Sequence, residues 1–441
     1  MDTEELHLPL SRTANERLHA MIPGGAHTYA KGDDQYPDNL APVISHGSGA
    51  HVWDVDGNRY IEYGSGLRSV SLGHAHPRVV EAVRRELDRG CNFVRPSIVE
   101  VAAAERFLAT VPTAEMVKFA KNGSDATTAA VRLARAATGR TRVAICADHP
   151  FFSVDDWFIG TTPMSAGIPA ETNELTVTFP YGDLAATEEL LNRYPEDVAC
   201  LILEPAAQTE PPPGYLAGLR ELADRYGCVL VFDEMITGLR WSEAGAQGLY
   251  GVVPDLSTFG KALGNGFAVS ALAGRRELME MGGLRHSGER VFLLSTTHGA
   301  ETHSLAASMA VLTTYVEEGI TARLHALGER LAAGVREAAA SMGVGDHVVV
   351  RGRASNLVFA TLDEKGQPSQ EYRTLFLRRL LTGGVLAPSF VVSSALDEAD
   401  IDRTVDVVAQ ACAVYRKALD AGDPGPWLAG RPVKPMFRRQ V

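Results

Sequence analysis

The chain has 441 residues, too many for one simple core, and its length predicts two or three structural units. Its composition is that of a globular protein, 45% hydrophobic and 22% charged, and 42 basic against 54 acidic residues give a formal net charge of −12. That charge, with no Lys/Arg run forming a basic stripe, argues against a nucleic-acid partner, and no apolar stretch reaches the roughly 18 residues of a membrane span.

Residues 1–74 read as an N-terminal arm and small-domain segment. A short amphipathic helix is expected over Ser11–Met21, then a Gly-Gly turn at 24–25. The run GAHVWDVDGNRYIEY is a hairpin pattern, two alternating stretches joined at Asp56-Gly57. The acidic N-terminus carries no apolar signal core, so a cytoplasmic protein without a membrane partner is expected.

Residues 75–320 change to alternating helix and buried strand. HPRVVEAVRRELDRG and SIVEVAAAERFLATV have helical apolar spacing, while MVKFA, TRVAICA, VACLILEP and CVLVFDE are short apolar runs. Such runs separated by helices predict an α/β domain with a mostly parallel sheet covered on both faces. Helices follow over about 305–317 and 320–342. Residues 321–441 read as a smaller α+β unit: strands in VVVRGRASNLVFATL, a helix in YRTLFLRRLLTGG, and a helix capped by Asp397 or Asp400. The Pro/Gly-rich end, from residue 422, is expected to be a surface tail. The five cysteines lie far apart without a C-x-x-C pair and predict reduced thiols. The thirteen histidines form no ligand spacing, so no catalytic metal is expected.

Three segments carry the chemistry. In CVLVFDEMITGLR a buried strand ends in Asp233-Glu234, which delivers a carboxylate to the carboxyl edge of a parallel sheet, where such sheets bind ligands. A strand-end Asp can serve a metal, a ribose or a protonated ring nitrogen, or be structural. Lys261 lies 28 residues further on, between Gly260 and the Gly264-Asn265-Gly266 turn. A lysine tip can simply reach solvent. At the end of an apolar run, however, desolvation lowers its pKa and frees the neutral amine for a Schiff base. The pair fits pyridoxal 5'-phosphate (PLP), which needs an amine for its aldehyde and a carboxylate to keep its pyridine nitrogen protonated. The third segment, KNGSDATTAAVRLARAATGR, is a strand–Gly turn–helix start suited to a phosphate, with Ser124 as both N-cap and phosphate ligand.

Together these segments resemble class III, fold-type I PLP-dependent aminotransferases, in the glutamate-1-semialdehyde aminomutase-like branch, over nearly the whole chain. The family's D-E-x-x-T-G matches Asp233 to Gly238 and includes Met235. Its G-K matches Gly260-Lys261, its phosphate turn Gly123-Ser124, its L-E-P Leu203-Glu204-Pro205, and its G-H-x-H-P Gly73 to Pro77. The resemblance implies that Lys261 is the Schiff-base lysine and catalytic acid–base. It implies cofactor contacts from Gly123, Ser124, Glu204, Asp233 and Met235, and a homodimer in which Thr296 reaches the phosphate across the interface.

Three departures mark this chain. Where the family has Y-H-G, this chain reads Ala147-Asp148-His149-Pro150-Phe151-Phe152, so either His149 or Phe151 would stack on the ring. An aminomutase arginine that holds the substrate carboxylate is missing from Pro23 to Lys31, where His27 and Tyr29 stand instead. A tryptophan common in the aminomutase pocket is replaced near Leu67-Arg68. The chain thus resembles the sub-branch that aminates oxidised sugars, including the 6'-aldehydes of aminoglycoside antibiotic assembly, with glutamate or glutamine as the implied donor. Arg68 and Arg240 are the candidates to read the donor carboxylate. An aminomutase of the glutamate-1-semialdehyde type, an amino-sugar epimerase and a non-catalytic binding protein on the same scaffold are the rival readings.

Overall fold

The computed structural model describes residues 6–149 and 151–438. It separates into two compact units: one of 1–66, 71–76 and 322–441, the other of 67–70 and 77–321.

In the first unit, β1 (Ile44–Ser48), β2 (His51–Asp54) and β3 (Arg59–Glu62) form an antiparallel meander. The Asp56-Gly57 turn joins β2 to β3, and Gly57 takes φ +90°, which a side chain would resist. Asp54 braces the hairpin. Its buried carboxylate accepts from the amides of Asp56 (3.0 Å) and Asn58 (2.8 Å), the Asn58 side chain (2.9 Å) and the Tyr60 hydroxyl (2.8 Å).

The second unit contains a seven-stranded sheet: β4 (Met116–Ala120), β5 (Arg142–Cys146), β6 (Thr176–Phe179), β7 (Val198–Leu203), β8 (Val229–Asp233), β9 (Leu256–Phe259) and β10 (Ser270–Gly274). Their order across the sheet is β4-β10-β9-β8-β7-β5-β6. The five strands from β9 to β6 pair in parallel, and β10 runs antiparallel to both of its neighbours. Strands β7 and β8 are buried throughout, and their side chains alternate between two apolar layers. Ile145, Ile202 and Val231 pack with Ala130 and Leu133 of the helix Gly123–Thr138. Cys146, Leu201 and Phe232 pack on the opposite side with Leu216 and Leu219 of the helix Tyr215–Tyr226. Because the strands are parallel, β5, β7, β8 and β9 all deliver their carboxyl ends to one edge. That edge is where the sequence placed its ligand.

The chain returns to the first unit with β11 (Val348–Arg351), β12 (Val358–Thr361) and β13 (Val385–Leu386), the last pairing in parallel with β3. Asp397, not Asp400, is the N-cap of the helix Glu398–Ala421. It accepts from the Asp400 amide at 2.8 Å, and Asp400 at N3 reaches back. The C-terminal end, expected as a surface tail, lies mostly at the surface but is pinned at several points. A short helix forms over Gly425–Leu428, Val433 is buried with its amide on the Thr374 hydroxyl (2.8 Å), and Lys434 donates to the Asp34 carbonyl (3.0 Å). Leu428 and Val433 have apolar surface to hide, and that outweighs the Pro/Gly composition. Among the described residues, no helix is long and apolar enough to cross a membrane.

Candidate active site

At the end of β8, Asp233 is buried, and its Oδ1 accepts from the Met235 amide and the Thr258 hydroxyl, both at 3.0 Å. Its Oδ2 takes no hydrogen bond among the described residues. Glu234, the next residue, faces a different surrounding. Its carboxylate accepts from the Ala246 and Gln247 amides, both at 2.8 Å, and from the Thr237 hydroxyl. It thus serves the first turn of the helix Gly245–Tyr250. Gly245 has φ +81°, and a Cβ there would lie 2.5 Å from a Glu234 oxygen. Burial raises the Glu234 pKa to about 7, with the Thr237 bond opposing. The first carboxylate of the D-E pair is left open and the second is a structural brace.

Lys261 opens a tight turn after β9 and takes φ +46°, a left-handed conformation costing about 1 kcal/mol or more for a residue with a Cβ. Its side chain keeps some access to solvent, yet the dense surroundings of its ammonium lower its pKa, with Asp233 and Glu204 opposing. Burial raises the pKa of Asp233, with Lys261 and its two hydrogen bonds opposing. A Cβ on Gly260 would meet the Met235 sulfur at 2.6 Å, and one on Gly123 at 3.1 Å. Both glycines let their turns close onto Met235.

Glu204 follows β7, is buried, and has no hydrogen bond to its carboxylate among the described residues. Burial first, then Asp233, push its pKa up to about 8, with Lys261 and Arg68 opposing. His149 follows β5 and is 4% exposed, and its Nδ1 accepts from the Glu204 amide at 3.0 Å. Lys261, Asp233, Glu204 and His149 therefore stand on four successive strand ends, β9-β8-β7-β5, with strands roughly 4.8 Å apart.

The helix Gly123–Thr138 starts beside this edge with its first-turn amides unused by the helix. Its N-cap is Asn122, which accepts from the Asp125 amide at 3.0 Å; the expectation that Ser124 caps the helix is thereby corrected. Gly123 and Ser124 are already helical. The Ser124 hydroxyl accepts from the Val154 amide at 3.0 Å, so its own proton is available to donate.

Arg240 is wholly buried and donates from Nη2 to the Arg68 carbonyl at 3.2 Å. Four consecutive residues there, Ser65 to Arg68, have φ between +45° and +72°, a left-handed turn that is costly outside glycine. Burial lowers the Arg68 pKa, with Glu204 opposing.

The remaining expected residues are exposed. Phe151 is 40% exposed, edge-on to Phe158 at 5.6 Å, whereas His149 is buried at a strand end. Thr296 is exposed in the loop before the helix Thr302–Glu318. His27 and Tyr29 are exposed in turns of the other unit, Tyr29 at the start of Tyr29–Lys31. Sequence reasoning missed Thr258 as the group fixing Asp233, although its place on β9, three residues before Lys261, is a usable signal. It also missed the Arg240 bond to the Arg68 carbonyl, which no motif encodes.

The geometry fits a flat, phosphorylated, aldehyde-bearing cofactor. An amine, an open carboxylate oxygen, a methionine that backs two glycine turns, and a helix N-terminus with a free hydroxyl proton share one unit. Comparisons with known proteins agree. The family model for class-III aminotransferases matches residues 33–390. A glutamate-1-semialdehyde 2,1-aminomutase of Desulfitobacterium hafniense is 34% identical over 419 residues, covering 90% of this chain and 96% of that protein. Among solved structures, an omega-transaminase from Sphaerobacter thermophilus superposes with a TM-score of 0.82 at 27% identity, over 91% of this chain and 97% of its own. A transaminase with PLP bound gives 0.84 at 27% identity, over 96% and 99%.

Proposed function

Because the chain belongs to the class-III aminotransferase family, whose members depend on PLP, we propose that it carries an amino group from glutamate or glutamine to the carbonyl of an oxidised sugar. An aminoglycoside intermediate bearing a 6'-aldehyde, in antibiotic or other secondary-metabolite assembly, is the acceptor class. When bound, PLP supplies an aldehyde that condenses with amines and a protonated ring that withdraws electrons from the reacting carbon. Lys261 would hold the aldehyde and, as a free amine, would take the proton from the donor carbon that bears the amine and deliver it to the former aldehyde carbon, as general base and then acid. Its lowered pKa favours the neutral amine this needs. Asp233 would hold the ring nitrogen protonated through its open oxygen, while Thr258 and the Met235 amide fix the other oxygen. Gly123 and Ser124 hold the phosphate with amide donors and the Ser124 hydroxyl, joined by Thr296 from the second subunit of a homodimer. Arg68 reads the donor carboxylate, and Arg240 steadies the turn that carries it.

The observation that carries this reading is the pairing of Lys261 and Asp233 on adjacent strand ends, β9 and β8. The sugar assignment is supported by the absence of an arginine from Pro23 to Lys31, where His27, Tyr29 and Lys31 offer hydrogen bonds instead of a carboxylate clamp. The test is a half-reaction screen. The enzyme is converted to its pyridoxamine form with glutamate and offered oxidised sugars alongside short keto acids and glutamate-1-semialdehyde. Turnover of sugar aldehydes is expected, and turnover of glutamate-1-semialdehyde alone would overturn the acceptor class. The 34% identity to an aminomutase favours one second reading, amine migration within a single substrate. Release of 2-oxoglutarate in step with glutamate consumption separates transfer from migration or epimerisation.

A further inference from the structure

Two buried carboxyl groups end neighbouring strands, and the fold equips them differently. Asp233 at the end of β8 receives the Met235 amide and the Thr258 hydroxyl, and such donors favour an ionised carboxylate. Glu204, one strand over at the end of β7, has neither a hydrogen bond nor an ion pair to its carboxyl group among the described residues. It is nevertheless not sealed. The residue keeps 5% of its surface, and neither of its side-chain oxygens is among the unpartnered atoms shut off from solvent. The charges that reach it are those of Asp233, Lys261 and Arg68, so its carboxyl group lies among the cofactor groups proposed above. Two carboxyl groups on adjacent strand ends do not both ionise cheaply. The one with donors keeps the charge and the one without keeps its proton. Burial and Asp233 accordingly push the Glu204 pKa up to about 8, with Lys261 and Arg68 opposing. A protonated carboxyl group donates as well as accepts.

Strand order indicates which part of the cofactor that donor meets. The helix Gly123–Thr138, proposed to hold the phosphate, begins just after β4. The carbonyl of its cap residue Asn122 accepts from the Ser270 hydroxyl at the start of β10, at 2.6 Å. From that side the order runs β4-β10-β9-β8-β7, so Lys261 and Asp233 come next and Glu204 lies beyond them. On the PLP ring the phosphate arm and the phenolic oxygen flank the aldehyde carbon on opposite sides, and the nitrogen stands across from the aldehyde. With the aldehyde at Lys261, the nitrogen at Asp233 and the phosphate towards β4, the phenolic side of the ring turns towards β7.

We propose that Glu204 acts as a protonated carboxylic acid that donates a hydrogen bond to the phenolic oxygen of PLP. An ionised Glu204 would repel the negative charge on that oxygen, whereas the acid stabilises it. The proposal rests on the PLP reading above, and adds to it the cofactor atom that this side chain meets and the protonation state in which it does so.

Two substitutions separate a neutral donor from a charge. Glu204→Gln keeps a neutral donor in a similar volume, and Glu204→Met fills the space without one. The readouts are the PLP dissociation constant of the apo-protein and, with PLP loaded, the pH midpoint of the change in its visible absorbance. A donor to the phenolic oxygen eases loss of the proton that this oxygen shares with the lysine nitrogen. Glu204→Met is therefore expected to weaken PLP binding about tenfold or more and to raise the midpoint by about one pH unit, while Glu204→Gln stays within about threefold of wild type. Equal losses in both variants would make Glu204 an ionised counter-charge and overturn the proposal. Wild-type PLP binding and midpoint in Glu204→Met would leave it without a cofactor contact and overturn it too. Infrared spectra of the PLP-loaded protein at pH 7 give a test that does not need the Met variant. The carbonyl band of protonated carboxylic acids is expected to lose intensity in Glu204→Gln, and an unchanged band overturns the proposal. Failure of the unsubstituted chain to bind PLP would instead overturn the cofactor reading, and this proposal with it. Binding with trapping at Lys261 but no response at Glu204 would overturn this proposal alone.

Discussion

Asp54 and Glu204 are carboxylates that the fold has almost removed from water, at 2% and 5% exposure, and the two are treated in opposite ways. Asp54, in the hairpin β2–β3, collects four donors on its two oxygens. Glu204, at the end of β7, collects none among the described residues and sits beside the equally buried Asp233, one of whose oxygens is also left open. Asp255 and Glu234 belong with Asp54. The first is bound by Arg220, Arg275 and the Leu230 amide, the second by two helix amides and a hydroxyl. Burial therefore does not sort these carboxylates, whereas the completeness of their hydrogen bonding does, and the open ones are those that the proposed function would use. A satisfied buried carboxylate holds local structure, and under the proposed function an open one is free to meet a bound group.

That contrast can be broken most sharply at Lys261 and Asp233. Lys261→Ala is expected to abolish borohydride-trappable labelling by PLP and to reduce amine transfer by about three orders of magnitude or more, with the fold intact by circular dichroism. Trapping at the same site in this variant would remove the lysine from its role. Asp233→Asn keeps the shape and both held contacts but loses the charge, so cofactor affinity should fall about 10–100-fold with little change in melting temperature. The complementary change is Asp54→Ala, which strands the Tyr60 hydroxyl and two Asn58 donors. It should cost about 3 kcal/mol of stability in urea unfolding while transfer per folded molecule stays at wild type. If Asp54→Ala instead lost activity without losing stability, hydrogen-bond completeness would not sort these groups.

How much of this was legible beforehand follows from which forces are local. The buried strands β5, β7 and β8 and the helices between them were readable because runs of Val, Ile and Leu flanked by helical periodicity have one comfortable solution, a parallel sheet. The sheet's edge then placed Asp233 and Lys261 together without any coordinates. The strand β10 escaped notice because FAVSALAGR resembles a continuation of the lysine turn. Only its pairing with β4 and β9 makes it antiparallel. Ser124 reads as a cap from its residue type, but Asn122 offers the same chemistry two residues closer to the strand. The left-handed turn at Leu67-Arg68 had no local signal, since neither residue favours positive φ. Its hydrogen bond comes from Arg240, far away in sequence. The anchoring of the surface tail had no signal in composition, which reports the Pro and Gly content and not the two apolar side chains among them, Leu428 and Val433.

The smallest effect tests the contrast at its weaker member. With its pKa raised to about 8, Glu204 keeps its proton in the folded apo-protein over a range where the unfolded chain, titrating near 4.5, has released it. Below pH 4.5 both forms are protonated and the group is neutral in the balance. From there to about pH 8 the folded state binds more protons than the unfolded one, so stability must fall as pH rises. Glu204→Gln removes the titration and keeps the shape. The apo-variant should match wild type near pH 5 and exceed it at pH 8, by on the order of 1 kcal/mol once water and relaxation around the ionised form are allowed for. Glu234 slopes in the same direction but is present in both proteins, so the difference between the two melting curves belongs to Glu204. Parallel curves from pH 5 to 8 would mean that Glu204 is already ionised and paired in the apo-protein. It would then join Asp54 among the braces, leaving Asp233 alone as the open carboxylate.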